Sequence, residues 1–287
     1  MKWLVTGSNG MLGTDLVELL GESARAGDLV TAASREDLDV TDADAVQRAV
    51  TGHDVVVNTA AWTAVDAAEE HETEATRVNA DGPRLLARAA RDHGARLVQI
   101  STDYVFDGSA TTPYAEDAPT VPGSAYGRTK ALGELAVRRE LPGGHLLVRT
   151  AWLYGAHGGC FPKTIARVAR DRGRVDVVDD QHGQPTWTRD VADLVVRLVR
   201  AGAPAGTYHA TSSGRASWCD FARAVVAAAG LDPGIVHPTT SEAFVRPAPR
   251  PAYSVLGHDA LHPVGLDPIG DWEPRWAEAA PEVLAGA

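Results

Sequence analysis

Short runs of apolar, mostly β-branched residues alternate with helical spacings along the first half of the chain. The runs at 3–6, 29–33, 54–58, 96–101 and 145–150 predict five strands. Helical patterns occupy 11–20, 42–50, 66–93 and 124–139. Strands separated by helices of this length pair in parallel through right-handed crossovers. The pattern therefore predicts an α/β fold, a Rossmann-type doubly wound parallel sheet.

The second half continues this alternation and then changes character. It predicts helices at 164–171, 191–200 and 217–230, a strand at 175–178 and a short strand at Tyr208. Prolines become frequent after Leu231, so this tail is predicted to be loops and short helices that cover the substrate side. We predict a dinucleotide-binding domain at 1–155 and a smaller, mainly substrate-binding C-terminal lobe at 156–287, with some segments returning to the sheet.

A glycine-rich loop, Gly7-Ser8-Asn9-Gly10-Met11-Leu12-Gly13, follows the first predicted strand and opens the first predicted helix. Glycines at this spacing let the backbone turn tightly and approach a pyrophosphate, whose charge the helix N-terminus receives. The candidate cofactor residues here are Gly7, Asn9, Gly10, Met11, Leu12 and Gly13. A glycine-rich turn that binds no ligand is the alternative.

The segment after the second predicted strand bears on the choice of cofactor. An acidic residue there is typical of NAD sites, whereas Ser34-Arg35 offers a cation for the 2′-phosphate of NADPH. The sequence thus favours NADPH, with NADH still compatible, and an exposed loop arginine is the alternative. Asp39, followed by Val40, is a candidate for binding adenine or, equally, a turn aspartate.

Tyr126 and Lys130 lie four residues apart on a predicted helix and therefore share one face. A phenol of pKa ~10 is a weak acid at neutral pH unless a nearby cation stabilises its phenolate. Lys130 is the candidate for that cation and for binding the nicotinamide ribose, with Tyr126 as the proton donor. Such a pair on a solvated helix face is the alternative.

Thr102 follows the fourth predicted strand, and ligands of open parallel sheets gather at the carboxyl ends of strands. We therefore predict that Thr102 polarises a substrate carbonyl and that Asp103 and Tyr104 line a sugar pocket. The alternative is that Thr102 only binds its own loop.

Composition excludes several classes of protein. The net charge is −11, from 27 basic and 38 acidic residues with no basic run, which argues against nucleic acid as a partner. No apolar run approaches the roughly 18 residues that a membrane span needs. Two isolated cysteines and a glycine loop at residue 7 predict a cytoplasmic protein without a secretory signal or structural zinc, and no metal site is assigned.

Six segments together resemble the dTDP-4-dehydrorhamnose reductase family of extended short-chain dehydrogenases/reductases. They are the glycine loop, Asn58-Thr59-Ala60-Ala61-Trp62-Thr63-Ala64-Val65-Asp66, Ser101-Thr102-Asp103-Tyr104-Val105-Phe106-Asp107-Gly108, Tyr126-x-x-x-Lys130, Arg149-Thr150-Ala151-Trp152-Leu153-Tyr154-Gly155 and Asp180-Gln181-His182-Gly183-Gln184-Pro185-Thr186. The resemblance implies reduction of the 4-keto group of a dTDP-6-deoxyhexose by a nicotinamide cofactor.

The resemblance also implies roles for individual residues. Thr102 and Asp103 are expected to contact the sugar, Tyr126 to donate the proton and Trp152 to pack on the substrate. Ala60, Ala61, Trp62 and Thr63 are expected to line the cofactor together with Asp39-Val40. Arg250 is a candidate for binding the diphosphate or, equally, a structural loop arginine. Family members often dimerise through magnesium held by glutamates; Asp15 stands at the first-helix position here, so a homodimer is compatible but no ligand set is assigned.

Other functions within this fold stay open at different levels. A 4,6-dehydratase needs an acid–base pair after the threonine, and Tyr104 follows Asp103 instead. A 4-epimerase is excluded less firmly, and a combined epimerase-reductase would require Cys160 and His182 near the sugar. A non-catalytic dinucleotide-binding regulator is the alternative of a different class. The complete Thr102, Tyr126 and Lys130 set argues against it.

Overall fold

The computed structural model describes residues 1–286 and contains one central parallel sheet. The strands of residues 1–286 are β1 (Lys2–Thr6), β2 (Leu29–Ala33), β3 (Val55–Asn58), β4 (Arg96–Thr102), β5 (His145–Thr150), β6 (Leu153–Tyr154), β7 (Val175–Val178), β8 (His182–Gly183), β9 (Thr186–Trp187), β10 (Gly206–His209), β11 (Ala216–Ser217) and β12 (Val236–Thr239). Six of them form the central sheet in the order β10-β5-β4-β3-β1-β2, with every pairing parallel, and the other six form two-stranded pairs. The Rossmann-type sheet predicted from the sequence is confirmed.

Helices cover both faces of this sheet. The α-helices of residues 1–286 are α1 (Met11–Glu22), α2 (Ala43–Val50), α3 (Val65–Ala68), α4 (Glu72–Thr76), α5 (Gly82–His93), α6 (Ala125–Glu140), α7 (Phe161–Arg172), α8 (Thr188–Arg200), α9 (Trp218–Ala228) and α10 (Trp272–Val283). Of these, α7, α9 and α10 pack in a separate core. Side chains alternate along β1: Trp3 and Val5 join the core beneath α1 and α8, while Leu4 joins the core beneath α2, α5 and α6. The period-2 alternation thus builds two cores from one sheet.

The continuous helical pattern at 66–93 is interrupted in the structure, which corrects the sequence prediction. Two short helices, α3 and α4, are followed by a π-helical turn at Arg77–Asp81 and only then by α5. Pro83 has no N–H and its ring clashes with the carbonyl four residues earlier, so a regular α-helix cannot run through Asn79. The wider turn places Asn79 in the site described below.

A third hydrophobic core lies in the C-terminal half. It is built from Tyr154, α7, α9, α10 and the short strands β7, β9 and β12. By contrast, β10 is a strand of the central sheet and α8 packs on that sheet. This arrangement favours a separate lobe, and the boundary near residue 155 stays a prediction. The tail contains more regular structure than its prolines predict, because β12 pairs with β7 and α10 packs in the lobe core.

From β1 the chain adds β2 on one side of the sheet and β3 on the other, so the strand order reverses between β1 and β3. In doubly wound sheets the ligand crevice lies at this switch, outside the carboxyl ends of the strands. The glycine loop leaves β1 at that end. Within residues 1–286, no helix combines the length and the apolar character required to cross a lipid bilayer.

Candidate active site

The glycine loop packs closely against the chain that leaves β3. Gly7 has φ +68°, and a Cβ there would lie 2.7 Å from the backbone nitrogen of Ala60. A Cβ on Gly13 would lie 2.3 Å from the carbonyl oxygen of Gly7. Helix α1 begins after Gly10 with no acidic side chain in its first turn, so its N-terminal dipole is not neutralised locally. These features fit the cradle that a dinucleotide pyrophosphate requires.

The candidates after β2 form local turns beside the glycine loop, and the Ser8 N–H donates to the Ala33 carbonyl at 3.2 Å. The Ser34 hydroxyl donates to Asp37 at 2.6 Å. The Asp39 carboxylate accepts from the backbone and hydroxyl of Thr41, and these bonds lower its pKa. Asp39 is therefore engaged in a turn, and its binding of adenine stays a prediction.

Arg35 is exposed at this edge, close enough to Asp39 for its charge to help lower the carboxyl pKa. Val40 is buried beneath Gly82, where a Cβ would approach its Cγ2 to 2.9 Å. Arg35 is thus exposed to solvent, whereas the Val40 side chain packs against α5 at Gly82.

Asn79 connects the cofactor segment Ala60–Thr63 to helix α6. Its Oδ1 accepts from the Trp62 N–H at 2.9 Å, and its Nδ2 donates to the Trp62 carbonyl at 3.1 Å and to Thr129 Oγ1 at 3.0 Å. The Trp62 and Tyr126 rings pack against one small cluster formed by three buried alanines, Ala68, Ala75 and Ala125. Sequence reasoning missed Asn79. The signal present was the Gly-Pro pair that interrupts the helical pattern after it.

Thr102 and Asp103 lie at the carboxyl end of β4, where the strand enters a 3₁₀ turn. The Thr102 hydroxyl donates to Asp103 Oδ1 at 2.9 Å and accepts from the Tyr104 N–H at 3.2 Å. Burial raises the pKa of Asp103 to about 6. Its carboxylate lies beside the buried Ser254 hydroxyl, which opposes that rise in pKa. Thr102 therefore holds its own loop at the carboxyl end of β4.

Helix α6 brings Tyr126 to this turn. Its ring meets Tyr104 edge to face with centroids 5.6 Å apart. Gly127 permits the approach, because a Cβ there would lie 2.2 Å from the Tyr104 carbonyl oxygen. Burial raises the pKa of Tyr126, and the adjacent Thr102 hydroxyl opposes that rise. The structure thus unites Thr102, Asp103, Tyr104 and Tyr126 in one cluster.

Lys130 lies one turn further along α6 and is buried. Its ammonium donates to the Ile100 carbonyl of β4 at 2.7 Å. Burial lowers the pKa of Lys130 to about 8, and the charge of Glu134 on the next turn opposes that change. An ammonium has three donors, so two remain for other acceptors. Lys130 is positioned by the sheet instead of by Tyr126.

A buried ion pair lies beneath these residues. Arg149 contacts both carboxylate oxygens of Glu134 at 2.8 Å, and the Ser101 hydroxyl donates to Glu134 at 2.6 Å. Burial would raise the pKa of Glu134, but the bonds and charge of Arg149 outweigh it and keep the carboxyl ionised. His209, beside Arg149, has its pKa lowered to about 3 by burial and that charge, so it stays neutral. Sequence reasoning did not predict this pair.

Trp152 lies two residues beyond Thr150, the strand partner of Thr102, and has φ +48°, which is rare for a bulky side chain. Its indole stacks on Trp218 with centroids 3.6 Å apart and planes 7° from parallel. A Cβ on Gly183 would lie 2.4 Å from its Cε2, 2.6 Å from Nε1 and 2.7 Å from Cζ2. An approach in the plane of the ring would bring Nε1 and Cζ2 closer than the Cε2 atom between them, so Gly183 approaches a face of the indole. Trp218 occupies one face, and Gly183 therefore lies against the other. The ring edge of Trp152 is what remains for substrate.

Arg250 comes from the C-terminal tail and pairs with Asp66 of α3 at 2.9 Å. Its guanidinium also donates to the Ala248 carbonyl at 2.9 Å. The same arginine is close enough to lower the pKa that burial raises at Tyr104. The tail therefore lies over the cluster, where Arg250 forms an ion pair with Asp66, and its binding of a diphosphate stays a prediction.

A separate group of metal-binding side chains lies on and near α1. His157 Nε2 is 3.4 Å from Asp15 and 3.5 Å from Glu18, and Asp15 Oδ2 is buried without a partner among the described residues. An imidazole with two carboxylates is not the all-oxygen set that magnesium prefers. These residues therefore do not match the magnesium site that the family resemblance brings with it.

Comparison with known proteins covers nearly the whole chain. The RmlD substrate binding domain family matches residues 1–285. A Streptomyces antibioticus protein named a probable dTDP-4,6-dihydroxy-2-methyloxan-3-one 4-ketoreductase is 51% identical over 99% of this chain and 96% of its own length. The dTDP-4-dehydrorhamnose reductase of Streptomyces griseus is 50% identical over 100% of this chain and 95% of its own length. The structure of dTDP-4-dehydrorhamnose reductase from Bacillus anthracis in complex with NADP is similar with TM-score 0.90 and 33% identity, covering 100% of this chain and 99% of that one.

Proposed function

The chain belongs to the RmlD substrate binding domain family, and from that premise we propose that it is an NADPH-dependent reductase of a dTDP-4-keto-6-deoxyhexose. Family membership confirms the resemblance drawn from the motifs. The observation that carries the proposal is the convergence of Thr102, Tyr126 and Lys130 at the carboxyl end of β4, beside the Trp62 segment and the glycine loop. The NADP bound to the Bacillus anthracis relative supports the choice of cofactor.

The glycine loop fits a dinucleotide because Gly7 and Gly13 leave room only for backbone, with the α1 N-terminus exposed toward the crevice. Gly7, Asn9, Gly10, Met11, Leu12 and Gly13 would hold the pyrophosphate. Ser34, Arg35, Asp39 and Val40 would surround the adenosine end, and Ala60, Ala61, Trp62 and Thr63 would line the middle. Arg35 is the cation proposed for the 2′-phosphate.

The reaction converts the sugar C4 carbonyl to a secondary alcohol. The bound nicotinamide supplies a hydride, and thus both electrons, to the carbonyl carbon. Thr102 carries one O–H donor, so it would turn that donor from Asp103 to the carbonyl oxygen and polarise the carbonyl. Tyr126 transfers its phenolic proton to that oxygen, so that one C–H and one O–H bond form as the carbonyl π bond is lost.

Lys130 keeps this proton transfer favourable. Its ammonium stabilises the phenolate left on Tyr126 and offers its two remaining donors to the nicotinamide ribose. Burial raises the pKa of Tyr126 in the structure. The positive charges of Lys130 and of the oxidised nicotinamide are therefore required to lower that pKa toward the pH at which the enzyme works. Asp103, Tyr104, Trp152 and Arg250 would contact the sugar nucleotide.

The test is to incubate the purified protein with NADPH and a panel of dTDP-4-keto-6-deoxyhexoses while following absorbance of the reduced cofactor. We expect stoichiometric oxidation of NADPH with one or more of these sugars. An epimerase would interconvert the sugars without net oxidation. A regulatory protein would bind NADPH and turn over none of them. Either result would contradict the proposed function.

A further inference from the structure

The Trp152 ring lies in a sandwich between Trp218 and Gly183, and the proposed chemistry does not explain this arrangement. Both faces of a half-buried aromatic ring at the sugar site are covered by protein, one by Trp218 and one by the backbone of Gly183. A ring that only lined the pocket would need neither contact. The ring is also attached to a backbone in a strained conformation, which persists only where surrounding contacts determine it.

The two covering residues are held next to each other by the sheet. Strand β8, which ends at Gly183, pairs antiparallel with β11, and Ser217 of β11 immediately precedes Trp218. Ser217 and Asp220 form a reciprocal capping box at the start of α9, so the first residue of that helix, Trp218, is rigidly placed. The spacing of the sandwich is therefore fixed by backbone pairing.

Aromatic contacts connect Trp218 to the core of the C-terminal lobe. Its ring lies 4.5 Å from that of Phe161, which lies 5.6 Å from Phe221, and Phe221 is fully buried. Strand β8 also binds the tail: the His182 N–H donates to Ala252, and the Ser254 N–H donates back to His182, both at 2.8 Å. Ser254 lies beside Asp103, so the sandwich and the catalytic cluster share one support.

We propose that Trp218 and Gly183 are positioning residues for substrate recognition, which fix the Trp152 indole so that its edge forms a rigid wall for the 6-deoxyhexose ring. This inference rests on the proposed function. Neither residue touches the reacting atoms; both act through Trp152. An indole held in one rotamer gives the C6 methyl and the C–H groups of a deoxysugar a fixed surface for van der Waals contact, whereas a free indole would sample several rotamers and lose that fit.

The test is a double-mutant cycle between Trp152→Ala and Trp218→Ala, with kcat/KM for the 4-keto sugar as the readout. We expect Trp218→Ala to lower kcat/KM about 10-fold, the scale of a lost aromatic pair. In the Trp152→Ala background the same change should alter kcat/KM by less than about 2-fold, because its target is gone. Trp218→Phe should recover most of the loss, and NADPH affinity should not change in any variant. Losses that multiply independently would overturn the proposal.

Gly183→Ala provides a second route to the same answer, since its Cβ would displace the Trp152 ring. It should reproduce the Trp218→Ala loss in the wild type and add nothing to Trp152→Ala. Gly21→Ala is the matched control, because no atom lies within 4 Å of a Cβ there. Equal effects of Gly183→Ala with and without Trp152 would contradict the inference.

Circular dichroism reports the stack itself, because two stacked indoles couple their transitions. We expect the couplet to disappear in Trp218→Ala and to persist when a dTDP-6-deoxyhexose is bound to the wild type. Loss of the couplet on binding would contradict the proposal that Trp218 holds the Trp152 ring in one position. If the wild type oxidises no NADPH with any keto-sugar, the proposed function fails separately. The cycle is then measured on the dissociation constant of the dTDP-6-deoxyhexose, where additive effects still overturn the inference.

Discussion

The two sides of the active site are built by different means. Thr102, Tyr126 and Lys130 lie on one long strand and one long helix, and backbone pairing of β4 with β3 and β5 fixes their positions. Trp152 and Arg250 lie on irregular segments and are fixed by side-chain contacts, with Trp218 and Asp66 respectively. The proposed chemistry is thus carried by regular elements, and substrate contact by connections between them.

This difference predicts different kinetic consequences. Changes on the β4–α6 side remove groups that are proposed to act on the reacting bond, so they should lower kcat. Changes on the Trp152 side alter the fit of the sugar nucleotide, so they should act through its binding and orientation. The predictions below are ordered from the largest expected effect.

Tyr126→Phe should lower kcat by roughly 10²–10⁴-fold, because the positioned acid is lost while the ring and its packing remain. NADPH affinity should change little, since Trp62 still packs against the same alanine cluster. Steady-state kinetics and cofactor titration measure both quantities. Near-normal turnover in this variant would remove Tyr126 from the role of proton donor.

Arg149→Met should lower the free energy of unfolding by about 3 kcal/mol, because the buried Glu134 carboxylate loses its bidentate partner and keeps only the partly exposed Arg138 at 3.2 Å and the Ser101 hydroxyl. Urea denaturation followed by circular dichroism measures this change. Arg91→Met is the matched control: Arg91 pairs with Glu140 at 2.7 Å on the surface, and its loss should change stability little. Equal losses for the two variants would contradict the view that the buried pair supports the site.

The pH dependence should follow Lys130, whose ammonium the proposed mechanism requires in its charged form. Burial lowers its pKa to about 8, so the charged fraction falls as pH rises through that value. The kcat/KM of the wild type should therefore decline above pH 8, at about 10-fold per unit. Lys130→Arg keeps its charge throughout and should lose this alkaline limb, even if its activity is lower. A wild-type profile that stays flat to high pH would exclude this assignment.

Arg35→Ala should weaken NADPH roughly 10-fold more than NADH, because a charge-assisted bond to the 2′-phosphate is lost. Dissociation constants for both cofactors, measured by fluorescence titration, give the ratio. Arg25→Ala, another exposed arginine before β2, should affect neither cofactor. Equal weakening of NADPH and NADH binding would show that Arg35 does not bind the 2′-phosphate of NADPH.

The β4–α6 side was predictable because its signals are local. Tyr126 and Lys130 share a helical face through their spacing alone, and Thr102 directly follows the fourth predicted strand. The glycine loop is likewise read from one short segment. In each case the residues that must meet lie on one element or at the ends of adjacent parallel strands, where the sheet topology brings them together.

The other side depends on contacts between distant segments, which spacing does not encode. Trp218 meets Trp152 only because β8 and β11 pair, and Asp66 meets Arg250 only because the tail returns over α3. Asn79 was missed for a different reason. Its position arises from a π turn, and the helical pattern around it gave no sign of the wider turn except the following Gly-Pro pair.

Transfer of deuterium tests the central claim most directly. NADPH carrying deuterium at both positions of nicotinamide C4 is incubated with the protein and a dTDP-4-keto-6-deoxyhexose, and the product is analysed by mass spectrometry and NMR. We predict one deuterium per NADPH oxidised, located on the sugar C4, and a rate that falls sharply in Tyr126→Phe. A reduced product without deuterium at C4, or sugar isomerised without NADPH oxidation, would contradict the account.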